Sequence, residues 1–189
     1  GYPVFGTHAK YLGGEVYNLQ LKPENDFLPN LDEIPADILK RAKVIVVNYP
    51  NNPTGANATP EFFEKLVKFA KANNLIVVSD AAYASLTFDT PALSILQVEG
   101  AKDVAVELHS LSKSHNMTGW RIGYIAAHTA LAKAISNLQS HATSNPNSIA
   151  QAASVEALNG DQSSVEVMKA EYIKRRAYMI DRINSIEGL

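Results

Sequence analysis

Cysteine is absent from the 189 residues, so no disulfide staples this fold and no thiolate is available to a metal. A reducing compartment suits such a chain, and a cytoplasmic location is the expectation. Charge of one sign is lacking too. The net value is −2 at pH 7, which gives nucleic acid or an anionic membrane surface nothing to attract. No apolar run approaches the length of a membrane span. Neither G-x-G-x-x-G nor G-x-x-x-x-G-K-[ST] follows any apolar run, so the usual phosphate loops of nucleotide-binding proteins are missing. Histidines and carboxylates nowhere fall at metal-ligand spacing, and no metal is expected. Repeats and low-complexity segments are absent as well. The first residues, GYPVFGTHAK, contain neither an initiator methionine nor a signal-peptide pattern, and the stretch reads as an internal piece of a longer protein.

What is present is an alternation. Apolar residues make up 46 % and charged residues 19 %, an ordinary globular balance. Short β-branched runs alternate with helical patterns, which points to an α/β fold with a mostly parallel sheet and helices on both faces. VIVVN (44–48) and LIVVSD (75–80) are continuous apolar runs, as expected of strands buried on both faces. VAVELHS (104–110) is a third strand and RIGYIAA (121–127) a fourth. A helix lies between the first two, with Thr59 as N-cap, Pro60 at the first helical position and Glu61 at the positive end. Its residues Phe62, Leu66, Phe69 and Ala70 share one face. Further helices are expected at 130–141, 148–158 and 164–186, and turns with one strand near 15–19 before Lys43. Residues 1–160 read as part of one domain and 161–189 as a helix leading into a smaller, incomplete one.

Ligands of open parallel sheets sit beyond the carboxyl ends of the strands. The polar residues found there are Asn51, Asn52, Pro53, Thr54 and Gly55 after the first strand. Asp80 and Tyr83 follow the second, and Ser110, Ser112 and Lys113 the third. Arg121 lies eight residues past the lysine. Singly, each has a plain explanation: Asn51, Asn52 and Asp80 as turn or cap residues, Tyr83 as a core ring, Lys113 as a surface charge. Jointly they suit a phosphorylated heteroaromatic aldehyde, with a carboxylate for its ring nitrogen, donors for its ring oxygen, an amine, and a guanidinium with hydroxyls for its phosphate. That describes pyridoxal 5′-phosphate (PLP).

NNPTG, SDAAY and SLSKSHNMTGWRIGY, in this order and with 28 positions between Asn52 and Asp80, resemble the fold type I aminotransferases of class I/II. Within them the wording is most similar to the LL-diaminopimelate and alanine/aspartate aminotransferase-like branch. The resemblance implies the large, PLP-binding domain of the aspartate aminotransferase-like fold. It implies that Lys113 holds the cofactor covalently and moves the substrate proton, and that Asp80 keeps the pyridine nitrogen protonated. Asn52 and Tyr83 would donate to the ring oxygen, Ser110 and Arg121 would bind the phosphate with Ser112, and Tyr2 would stack on the ring. It implies a homodimer that moves an amino group between an L-amino acid and a 2-oxo acid. A lyase or decarboxylase of the same fold, or a non-catalytic sensing module, stands as the alternative. The chain has Ala81 where the family usually has an acidic residue. The family's phosphate glycine loop and substrate-carboxylate arginine have no counterpart in these 189 residues.

Overall fold

The computed structural model describes residues 2–188. Ahead of the first strand the chain is helical where it is ordered into elements, with α1 (Val4–Tyr11) and the short α2 (Ala36–Arg41). No residue pattern announces α1: Pro3 stands at its cap position, no side chain caps it, its first turn has no acid and Gly6 interrupts it. The strand expected near 15–19 does not form. Gly13, at φ 78°, turns the chain just before it, and Val16 and Tyr17 are exposed with no neighbouring strand to pair. Glu15 instead forms an ion pair with Arg41 at the end of α2.

The sheet has four strands in sequential order, β1 (Val44–Asn48), β2 (Ile76–Asp80), β3 (Ala105–Ser110) and β4 (Gly123–Ala127). The first three run parallel and β4 runs antiparallel to β3. The antiparallel return has a simple cause. The link between β3 and β4 holds only the four-residue α4 (Leu111–Ser114) and a 3-10 turn at Thr118–Trp120, whereas a parallel crossover needs a longer helix to travel back along the sheet. Between β1 and β2 such a helix exists, α3 (Pro60–Ala72). The Thr59 hydroxyl accepts the Phe62 amide at 3.1 Å and caps it. Phe62, Phe63, Leu66, Val67 and Ala70 are buried, a wider stripe than the spacing alone suggested, and Phe69 lies at its margin.

Those side chains cover one face of the sheet, where Ile45, Val47, Val77 and Ala105 complete the core with Leu31 and Ile95. The other face differs from the expectation of strands buried twice over. Val44 is 52 % exposed and Ile76 39 %, so the described residues cover β1 and β2 on one side only. After β4 come α5 (Thr129–Ala142), α6 (Ser148–Asn159) and α7 (Ser163–Asn184), each within two residues of the expected helix. Asn147 caps α6 through its side-chain oxygen. Of the whole length of α7 only Val165 is buried. No helix among the described residues is long and apolar enough to cross a membrane.

Candidate active site

Parallel pairing sets the site's frame. The register aligns Asn48 with Asp80, and Asp80 with Leu108, so three strands end at one level and their following loops share one edge. The loop after β1 is built by its own asparagines. The Asn48 amide donates to the Asp80 carbonyl at 3.1 Å while its oxygen accepts the Asn52 backbone N–H at 2.9 Å. Asn51, 6 % exposed, accepts from the Thr54 hydroxyl at 2.8 Å and from the Thr54 amide at 3.3 Å. Its plain reading as a turn residue holds. Gly55 closes the turn at φ 75°, a conformation suited to glycine. Asn52 is left projecting at the loop's exposed edge.

From there its amide nitrogen reaches the Tyr83 hydroxyl at 3.2 Å. Tyr83 stands on the turn after β2, ahead of the 3-10 segment Ala84–Leu86, and α4 packs against that segment. The packing brings the Lys113 Nζ to 5.7 Å from the centroid of the Tyr83 ring. Three residues, from the loop after β1, the turn after β2 and α4, thus form one group. Asp80 ends β2, half-buried, with Oδ1 accepting the Ala82 amide at 3.2 Å. Burial pushes its carboxyl above the usual carboxylate value, while the Ala82 N–H and the nearby His109 pull the other way. No ion pair engages Asp80 among the described residues.

Ser110 ends β3 and caps α4, its hydroxyl accepting the Ser112 amide at 3.2 Å. Gly123 sits opposite Ser110 across the antiparallel pair, which places Arg121 near the same strand end. A Cβ at Gly123 would lie 2.5 Å from the His109 carbonyl oxygen, so this close approach demands glycine. Arg121 adopts the left-handed conformation at φ 52°, and its Nη1 donates to the Thr118 carbonyl at 2.9 Å. Its guanidinium is exposed and makes no hydrogen bond to Ser110 among the described residues. Asp80, Ser110 and Arg121 stand at neighbouring strand ends with no hydrogen bond to Asn52, Tyr83 or Lys113 among the described residues, and the last two sequence candidates add none. Tyr2 is 60 % exposed at the chain's start, and the Ser112 hydroxyl makes no hydrogen bond among the described residues. Reading the sequence missed Asn48, whose two hydrogen bonds tie the Asn52 loop to Asp80. Its only signal was its position as the last residue of a strand.

The amino-acid sequence matches the family model for aminotransferase class I and II over residues 1–189. An LL-diaminopimelate aminotransferase of Methanocaldococcus jannaschii is 46 % identical over 186 residues, covering 98 % of this chain and 44 % of the relative. One from Aquifex aeolicus is 45 % identical over 186 residues, covering 98 % and 48 %. Among solved structures, an aminotransferase from Staphylococcus aureus superposes with a TM-score of 0.88 at 32 % identity, over 94 % of this chain and 47 % of that one. A probable N-succinyldiaminopimelate aminotransferase from Thermus thermophilus gives 0.91 at 29 %, over 98 % and 50 %. The chain spans about half the length of the curated relatives it matches. With a family model matched along its whole length and the same fold in its structural neighbours, the chain belongs to the class I and II aminotransferases.

Proposed function

We propose that this chain carries the cofactor-binding part of an aminotransferase that moves an amino group from an L-amino acid to a 2-oxo acid, with LL-diaminopimelate the favoured amino acid. The curated relatives' names support that choice of substrate. Aspartate and alanine are the other candidates. The cofactor of the family is PLP. The residues present fit it by the chemistry of the donor set: a half-buried carboxyl with no ion-pair partner among the described residues, two hydrogen-bonding groups 3.2 Å apart, and an amine beside them.

The observation that carries the reading is the meeting of Asn52, Tyr83 and Lys113 above the ends of parallel strands. When bound, PLP supplies an electron-withdrawing ring that stabilises negative charge at the substrate α-carbon. Lys113 Nζ would hold the cofactor covalently and, once the incoming amino group has displaced it, would as the free amine take up and return the α-proton. Asp80 would accept the N–H of a protonated ring nitrogen, an interaction that would offset the cost of keeping its carboxylate half-buried. Asn52 and Tyr83 would donate to the ring oxygen. Ser110 and Arg121 would bind the phosphate, Arg121 after giving up the Thr118 carbonyl, and Ser112 would assist. Tyr2 would have to swing in from its exposed position to stack on the ring.

Residues 1–160 are read as part of the PLP-binding domain and 161–189 as the helix that leaves it. The near-complete exposure of α7 supports this division. A cytoplasmic homodimer belongs to the same reading. Exposed apolar side chains on α5 and α6, among them Leu138 and Ile149, support the dimer. The test is to purify the intact protein with PLP and add single L-amino acids while following the cofactor's absorbance. The expected outcome is conversion to the pyridoxamine form by LL-diaminopimelate and reversal by a 2-oxo acid. A stable band that no amino acid converts, or release of ammonia in place of conversion, would refute transamination.

A further inference from the structure

Glu107, in β3, is 3 % exposed and is the only charged side chain among the described residues that is buried. It lies outside the set of groups assigned above. Its carboxylate is nevertheless fully engaged. Oε1 accepts from the Ser94 hydroxyl at 2.9 Å and from His109 Nε2 at 2.8 Å, and Oε2 accepts the Ile95 amide at 2.9 Å. A carboxylate costs free energy to bury even when hydrogen-bonded, and an aliphatic side chain would fill the same space without that cost. The arrangement therefore calls for a use.

His109 is the donor with somewhere to lead. It sits directly across from Tyr124 in the antiparallel pair, with the two rings stacked at 4.8 Å and 12°. The Ala81 amide donates to the Leu108 carbonyl at 2.9 Å, so β3 stays knitted to the chain just past Asp80, and His109 follows Asp80's own register partner. We propose that Glu107 is a positioning residue: by accepting the Nε2–H of His109 it fixes that ring's tautomer and its seat on Tyr124, beside the strand end that carries Asp80.

A neutral His109 so held carries its proton on Nε2, which leaves Nδ1 to take the second. The titratable groups in contact with it are Glu107 on β3 and Tyr124 on β4, and Asp80 at the end of β2 is near enough to feel its charge. Positive charge on His109 favours an ionised Asp80, opposing the effect of burial there. Burial first, and then the charge of Glu107, push the Tyr124 hydroxyl up. Glu107 thus reaches Asp80 through His109. The functional half of the inference rests on Asp80 being the cofactor's acidic partner; the tautomer does not.

The first measurement is 15N-resolved NMR of the His109 ring in the intact protein with cofactor removed, followed upward in pH until the ring is neutral. The expected result is the Nε2–H tautomer in the wild type and a mixture containing Nδ1–H in Glu107→Gln. The wild-type spectrum needs no substitution, so a variant that folds poorly does not weaken it. The second is the pH profile of kcat/KM for His109→Gln, which can still donate an N–H to Glu107 but carries no charge. Its acid limb is expected to move to higher pH, because Asp80 loses the neighbouring charge that favours ionisation. An Nδ1–H tautomer in the wild type, or an unmoved acid limb in a cofactor-loaded His109→Gln, overturns the proposal. Failure of the intact protein to bind PLP would remove Asp80's role, while the tautomer would still decide the Glu107–His109 pairing.

Discussion

Asn52 and Tyr83 are 31 positions apart in the chain and share a hydrogen bond of 3.2 Å. Tyr83→Phe removes the hydroxyl that both Asn52 and the cofactor's ring oxygen would use. One hydrogen bond is worth about 1 kcal/mol, so PLP affinity should fall roughly fivefold in an equilibrium titration. Unchanged affinity would place Tyr83 outside the cofactor's reach. Asp80 gives a prediction with opposite signs for stability and binding. Burial holds its folded-state carboxyl above the ordinary value of 3.8, so the protonated form is the one the fold prefers. Its contribution to stability is full below the ordinary value and is lost as pH rises through the raised one. Without cofactor, Asp80→Asn should therefore be the more stable protein at neutral pH. The difference should shrink on acidification through the carboxylate range, and the same variant should retain PLP poorly. Denaturation midpoints that run parallel with pH would show that burial does not set this group's titration. Asn52, Asp80, Tyr83 and Lys113 were legible in the sequence because each stands just past an apolar run. Their partners were not: Asn48 acts through a hydrogen bond across to β2, and Glu107 joins His109 to the Ser94–Ile95 turn, contacts that one sequence does not pair.

Among the elements, α3 was the most legible, because Thr59, Pro60 and Glu61 announce its start and its apolar spacing its face. Thr59→Ala should cost about 1 kcal/mol in a denaturant titration through loss of the cap, with the fold unchanged. A cost indistinguishable from zero would mean that the Phe62 amide finds water equally good. Gly123→Ala should cost about 1–3 kcal/mol, since its methyl would meet the His109 carbonyl at 2.5 Å and push apart the strand pair beside the site. Retention of full stability would mean that β4 shifts freely. α1 carried no such signals, and the stretch at 15–19 had strand-like composition without a partner strand. The reversal of β4 was hidden because residue types do not state direction; only the shortness of the link after β3 constrains it.

For the molecule as a whole, the mostly parallel sheet followed from its apolar runs, but burial on both faces did not. Periodicity records what a strand can face, and the described residues cover β1 and β2 on one side. The last helix is held to the rest partly by Arg176, which meets Asp89 at 3.0 Å and lies 5.8 Å from the Phe88 ring. An exposed pair of this kind contributes about 0–1 kcal/mol. Limited proteolysis should therefore cut first in the turn between α6 and α7, near Gly160, and leave residues before it protected by the cofactor. First cleavage inside β1 to β4 would contradict the division into domains.

Lys113 is the residue on which the cofactor assignment depends. The most direct test is to load the intact protein with PLP, reduce with borohydride to fix any cofactor–lysine link as a stable secondary amine, digest, and locate the added mass. The account predicts a single modified lysine, Lys113, and none in Lys113→Ala. Modification of a different lysine, or a wild-type protein that takes up no label, would contradict it.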